Sequence, residues 1–293
     1  MNTPRANING AILMVLAMLG FAIEDMIIKL VAGQLPTWQI VSTLGVGGAA
    51  VFAAMTLRQG QPLFSRRWLT PAIYLRSLGE LIGTVGFITA LALTPISSAS
   101  AILQATPLAV TLGAALFLRE PVGWRRWSAI WAGFFGVLLV IRPGLDGFNA
   151  LSLFAVMGVI GLSLRDLMTR AAPPDISSLQ LSFLGFVMLI PSGAILSLFS
   201  SQGFVVLTPV LGAQMTAMVA LGTLSYYAIV RAMRMGDVAY VTPFRYSRLI
   251  FALIIGVVVF DETLDAAMLL GSGIIVASGI FTVWRERKLA LDS

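Results

Sequence analysis

Ten apolar runs, each about as long as a bilayer core is thick, leave this chain few folds to choose from. They fall near residues 9–31, 36–57, 71–93, 98–118, 124–142, 150–170, 176–199, 209–232, 238–260 and 265–284. Roughly 20 apolar residues in a helix span a hydrocarbon core of about 30 Å, so each run reads as one crossing. With 58% hydrophobic and 11% charged residues, a water-soluble fold would lack the polar surface it needs. Arg5 followed by an apolar run and Gly20-Phe21-Ala22 has the look of a cleaved signal peptide. A second copy of that run deeper in the chain argues that the first segment stays.

The second copy is explicit. GFAIEDMIIK at 20–29 returns as GLSLRDLMTR at 161–170, which matches Gly20 to Gly161, Asp25 to Asp166 and Lys29 to Arg170 at an offset of 141. Gln39 and Gln180 keep the same offset. Each copy holds five crossings, an odd number, so the second is predicted to be inverted relative to the first. The expected fold is therefore an all-α membrane protein of ten transmembrane helices in two inverted five-helix repeats, residues 1–145 and 146–293. Loop charge agrees: of 19 lysines and arginines, fourteen fall in loops of one side when the N-terminus is cytoplasmic, and only Lys29 and Arg142 on the other. Short loops rich in Lys and Arg stay inside, so both termini are expected in the cytoplasm.

What is missing also narrows function. Zero cysteines and zero histidines exclude disulfides, thiolate or HExxH metal sites, and Cys or Ser-His nucleophiles. No GxxxxGK[ST] motif is present to hold a nucleotide phosphate. No cofactor, no metal and no enzyme activity is expected. A net charge of +6 is not a nucleic-acid signal here, because the bases follow the membrane rule, and the partner expected is the lipid bilayer. Inverted repeats of this kind build secondary transporters, which rock about a site near the midplane.

The turn after crossing four, ALFLREPVGWRRW, and the turn after crossing nine, VVVFDETLDAAML, place Glu120 and Glu262 alike at an offset of 142. Together with ALTPISSASAILQATP and GDVAYVTPFRYSRLIFALIIG, they resemble the paired EamA-type domains of the drug/metabolite transporter superfamily, across nearly the whole chain. Within it the chain looks most like the bacterial exporters of aromatic and other neutral amino acids, the YddG group. The resemblance implies a basket of ten helices in the bacterial inner membrane, with a cavity lined by crossings one to four and six to nine. It also implies amino-acid export by alternating access without ATP, and a structural rather than chemical role for Glu120 and Glu262. Crossings five and ten would lie outside, where a second copy forming a homodimer would meet them. Ala129 departs from the glycine that Gly271 represents, which breaks the symmetry of that outer pair. An organic anion or phosphorylated metabolite, also carried in the superfamily, is the alternative substrate.

Four charges lie well inside the runs: Arg76 and Glu80 on crossing three, and Arg245 and Arg248 on crossing nine. At about 1.5 Å per residue, Glu80 and Arg248 reach a similar depth of roughly 14 Å, which predicts that they pair. The four charges either fix helix register, or attract a substrate carboxylate and hold an inner gate; a proton-carrying Glu80 would be opposed by its arginine neighbour. Asp25–Lys29 and Asp166–Arg170, spaced i to i+4, are expected as local ion pairs or as gate latches at the two membrane faces. Glu24, whose counterpart is Arg165, would meet Lys29 or water. Trp38, Gln104, Tyr226, Tyr246 and Ser163 are candidates to contact substrate, with Tyr74, Tyr227, Tyr240 and Ser225 behind them; aromatic residues near helix ends are also ordinary interfacial anchors. Gly79 and Gly83, Pro107 and Pro243 are candidate hinges, and the two glycines form a small-xxx-small face that admits a neighbouring backbone.

Overall fold

The structure, a computed structural model, describes residues 4–64, 68–117, 123–143, 149–173, 175–235 and 238–292. Its regular elements are helices: α1 Pro4–Ala32, α2 Thr37–Arg58, α3 Pro71–Leu93, α4 Ile96–Leu103, α5 Thr106–Phe117, α6 Trp124–Ile141, α7 Leu153–Arg170, α8 Ser178–Leu198, α9 Pro209–Met235, α10 Val238–Val241, α11 Ser247–Phe260 and α12 Ala266–Asp292. Nine spans among the described residues are long and apolar enough to cross a membrane, α4 with α5 making one of them. The tenth crossing, α6, has 18 residues and spends two of them on Arg125 and Arg126.

Local chemistry sets the ends. Pro71 opens α3 where its missing N–H costs nothing. Ser177 and Gln180 form a reciprocal capping box at the start of α8. The expected kink at Pro107 is a full interruption: crossing four stops at Leu103 and restarts at Thr106, with the Thr106 hydroxyl donating to the Leu103 carbonyl at 2.6 Å. Crossing nine is broken likewise, by the 3-10 turn Thr242–Tyr246 that contains Pro243. A proline removes one helical hydrogen bond and crowds the turn before it, so both breaks sit where the sequence allows them.

The helices pack in antiparallel pairs, each joining one crossing before residue 143 to one after 149: α1 with α9, α2 with α8, α3 with α7, and α6 with α12. Lesser contacts match in the same way, α1 touching α11 as α7 touches α5, and α3 touching α8 as α2 touches α9. The two glutamines related by 141 residues act alike. Gln39 donates to the Val205 carbonyl at 2.8 Å and accepts from its N–H at 3.0 Å, while Gln180 donates to the Pro62 carbonyl at 2.8 Å. Each thus ties the start of its own helix to a loop from the other half of the chain.

Glycines make the pairs tight. A side chain at Gly79 would run into the Arg165 N–H and the Gly161 carbonyl, and one at Gly86 into the Gly158 backbone. Gly83 faces Leu162 and lies under Gly161, so α3 and α7 touch backbone to backbone as the small-xxx-small spacing predicts. Gly136 and Gly271 do the same for α6 and α12. The small faces of crossings five and ten are therefore used inside the chain, and a second copy would meet the outward row Trp131, Phe135 and Leu138 instead. Rows such as Ile8, Ile12 and Leu16 on α1 and Ile250, Ile254 and Val258 on α11 are exposed at i, i+4 spacing, as a lipid-facing stripe should be.

Gly161→Leu forces a side chain into the Gly83 backbone. Overpacking of this kind costs about 1–3 kcal/mol or more. A clear fall in the melting temperature of detergent-purified protein is expected, whereas Gly33→Leu, where nothing lies within 4 Å, should melt like the parent.

Candidate functional site

In the last third of α1, Asp25 is only 2% exposed and gives both its oxygens to Arg248 on α11. Arg248 Nε reaches Oδ2 at 3.0 Å, and Nη2 reaches Oδ1 and Oδ2 at 2.8 and 2.7 Å. The break in crossing nine places Arg248 at the second residue of α11, so its side chain points across the bundle. Phe21 and Phe87 flank the guanidinium at 5.0 and 5.3 Å from their ring centres, a cation–π arrangement that holds it while excluding water.

A second cluster joins α3 to α7. Arg165 Nη1 meets Glu80 Oε1 at 3.2 Å and its Nε and Nη2 meet Asp166 Oδ1, both at 2.9 Å. Arg76, 1% exposed, lies 3.8 Å from Glu80 Oε2 and donates from Nε to the Thr169 hydroxyl at 3.1 Å. Among the described residues, Glu80 Oε2 and Arg76 Nη1 are buried with no hydrogen-bond partner. Beside them stands a trio of rings from three helices: Phe52 and Phe186 at 5.3 Å, Phe52 and Tyr226 at 5.7 Å, Phe186 and Tyr226 at 5.9 Å. Phe186 fits over Gly48, in the space that a side chain there would need. The Tyr226 phenol lies within electrostatic reach of Arg165.

Several expected pairings are replaced. Glu80 does not pair with Arg248: matching depth says nothing of direction, and α7 brings Arg165 closer to Glu80 than α11 brings Arg248. Asp25 does not pair with Lys29 either, for its oxygens are filled by Arg248, and Lys29 binds the carbonyls of Leu91 at 3.5 Å and of Thr94. Those carbonyls end α3, where the helix dipole favours a cation. Asp166 pairs with Arg165, and the Arg170 side chain lies outside the described residues. Glu262 caps α4 by accepting from Ile96 N at 2.6 Å, Ser97 N at 3.1 Å and the Ser97 hydroxyl, a structural role. Glu120 lies outside the described residues.

The remaining candidates scatter. Tyr246 is buried against Gly279 of α12, away from the charged centre, because the 3-10 turn rotates it outward; its hydroxyl has no partner. Trp38 donates to the Gln202 carbonyl at 3.3 Å and lines a groove of ≈ 750 Å³ between α2 and α9. Tyr227 lines another, of ≈ 510 Å³, between α1 and α9. Ser163 donates to the Thr106 carbonyl at 3.3 Å, at the break in crossing four, and Ser225 packs on Gly20. Gln104 is buried beside the same break, Arg245 is half-buried in the 3-10 turn, Tyr240 stacks loosely on Phe244 at 6.0 Å, and Tyr74 is exposed. Phe52, Phe186, Phe87 and Arg165 are the central residues that sequence reasoning passed over; Arg165 had left a trace, as the mismatch opposite Glu24.

Residues 8–142 match the EamA-like transporter family. A riboflavin transporter of Vibrio cholerae is 30% identical over 96% of this chain and 95% of its own. The chain belongs to the EamA-like transporter family. An S-adenosylmethionine uptake transporter of Rickettsia bellii is 26% identical over 73% of this chain and 72% of its own, and a pseudopaline exporter of Pseudomonas aeruginosa is 26% identical over 52% of each. A crystal structure at 19% identity superposes with a TM-score of 0.57 over 97% of this chain and 98% of that one, and so shares the fold. As an EamA-type protein the chain is a multi-pass membrane transporter and not an enzyme.

Removing one partner of a buried ion pair strands the other, at about 3–5 kcal/mol. Asp25→Ala and Arg248→Ala are each expected to destabilise the transporter by that order. The double variant should cost clearly less than the two together, as read from a double-mutant cycle of thermal melts.

Proposed function

We propose that this transporter carries small amine-bearing solutes, neutral and aromatic amino acids or their derivatives, through the buried charged centre. The mechanism is alternating access without ATP: two inverted halves, residues 1–145 and 146–293, rock about the seams between α1, α3, α7 and α9. The matched contact pattern and the twin glutamine ties support that division. The Pro107 and Pro243 breaks and the Gly79 and Gly83 seam supply the hinge points. The bacterial inner membrane, with both termini cytoplasmic, follows from the loop charges and the bacterial relatives.

The observation that carries the substrate class is the composition of the centre. Three guanidiniums, of Arg76, Arg165 and Arg248, stand with four carboxylates, of Glu24, Asp25, Glu80 and Asp166, next to the trio Phe52, Phe186 and Tyr226. The rings suit a flat side chain and the surplus carboxylate suits an amine. S-adenosylmethionine, which joins an amino-acid group to a flat base, fits both parts of that outline, and riboflavin, a flat ring system without an ammonium group, fits the ring part. An organic anion fits less well, since every one of the three arginines already has a carboxylate partner. The direction of net flux proposed is outward, as the resemblance to amino-acid exporters implies, although the Rickettsia relative is named for uptake.

Counterflow in proteoliposomes tests this. Labelled L-phenylalanine should exchange, with other zwitterionic amino acids competing and sugar phosphates not. Phe186→Leu and Tyr226→Leu, which keep most of the buried volume, should each slow exchange about tenfold, since a ring contact to the solute is worth about 0.5–1.5 kcal/mol. Competition by organic phosphates in place of amino acids would reverse the assignment.

A further inference from the structure

Glu24 is the one member of the centre with no partner. It is 5% exposed, yet among the described residues its carboxylate makes no hydrogen bond and no ion pair. The charged groups that act on it are Asp25 on its own helix and Arg248 from α11, and Arg248 is already held by both oxygens of Asp25. From α9 Gly222 faces the carboxylate, which lies over it where a side chain would otherwise stand.

The other half of the chain closes the equivalent contact differently. Gly161 packs on Gly83 just as Gly20 packs on Ser225, and four residues further on Arg165 meets Glu80 where Glu24 meets Gly222. The offsets are those of the sequence repeat, 141 between α1 and α7 and 142 between α3 and α9. At one of the two matching positions an ion pair closes the contact. At the other an acid, Glu24, stands in the base's place and a glycine, Gly222, in the acid's place, which leaves a carboxylate with no counter-charge across the seam in a bilayer interior where a lone carboxylate is costly. A side chain with that arrangement is completed by a cation from outside the protein.

We propose that Glu24, over Gly222, is the subsite for the positively charged group of the transported solute, an ammonium or sulfonium. This rests on the transporter reading above and adds the residue that selects for an amine. The solute's cation balances the fourth carboxylate, and its ring reaches the aromatic trio, whose Tyr226 stands one turn beyond Gly222 on α9.

Binding to the purified full-length transporter, by calorimetry, separates the pieces. The probes are phenethylamine, which has the amine alone, 3-phenylpropionate, which has the carboxylate alone, and L-phenylalanine. Wild type should bind phenethylamine at least tenfold more tightly than 3-phenylpropionate. Glu24→Gln, close to isosteric, should erase that preference, and Glu24→Asp should keep most of it. No amine preference in wild type, or the same preference in Glu24→Gln, overturns the subsite. Loss of pH-gradient dependence in Glu24→Gln with amine binding intact also overturns it, because the carboxylate would then serve a proton alone. Glu24-dependent phenethylamine binding with no amino-acid exchange would leave the subsite standing and remove the amino-acid reading.

Discussion

A charged side chain at the level of the lipid tails must find a partner or water, and that requirement organises the middle of this transporter. Asp25 and Arg248 are 223 residues apart and yet bonded twice over; Glu80 and Arg165 are 85 apart and meet across two helices. Both pairs bridge the first and second halves of the chain. These two contacts at depth are therefore also contacts between the halves, and a change in how the halves sit relative to one another must break or re-form them. Buried pairs add little net stability, but they are costly to separate singly, which suits them to fixing discrete arrangements better than to adding strength.

Glycine supplies the complementary condition. Between apolar helices in lipid there is little hydrophobic gain on association, so close backbone approach and dispersion must do that work. Gly79, Gly83 and Gly86 against Gly158 and Gly161 bring α3 and α7 to backbone contact, and only then is Arg165 near enough to reach Glu80. On the facing seam, Gly20 makes room for the Ser225 side chain and Gly222 for Glu24, which ends over a bare backbone. The ion pair and the lone acid are thus outcomes of the same packing geometry with different residues inserted into it.

This division also explains what was legible beforehand. Crossings, their breaks at Pro107 and Pro243, the small-residue face of Gly79 and Gly83 and the twin glutamines are all local or periodic signals, and a sequence carries them directly. Asp25 shows the limit. Its i+4 neighbour Lys29 is the natural partner on an isolated helix, worth a few tenths of a kcal/mol. In the folded protein a bidentate arginine from a distant helix outcompetes it, and Lys29 is drawn to the carbonyls ending α3. Equal depth likewise set Glu80 opposite Arg248, because a rise per residue fixes height and leaves azimuth open. The trio Phe52, Phe186 and Tyr226 comes from three helices and shares no spacing, so nothing in the linear pattern joins those rings.

The broken crossings connect these observations. An unbroken helix through residues 238–260 would continue the azimuth of its first turns, whereas the 3-10 turn at Thr242–Tyr246 resets it and sends Tyr246 out to α12 and Arg248 in to Asp25. The break also leaves the N-terminal end of α11 beside the Asp25 carboxylate, where unpaired N–H groups and the helix dipole favour negative charge. Its partner break, at Gln104 and Ala105, gives up the Thr106 carbonyl to Ser163 on α7. At the break in crossing four, backbone polarity at depth is thus answered by a side chain from the other half. That is the arrangement in which irregular backbone is tolerable inside a membrane.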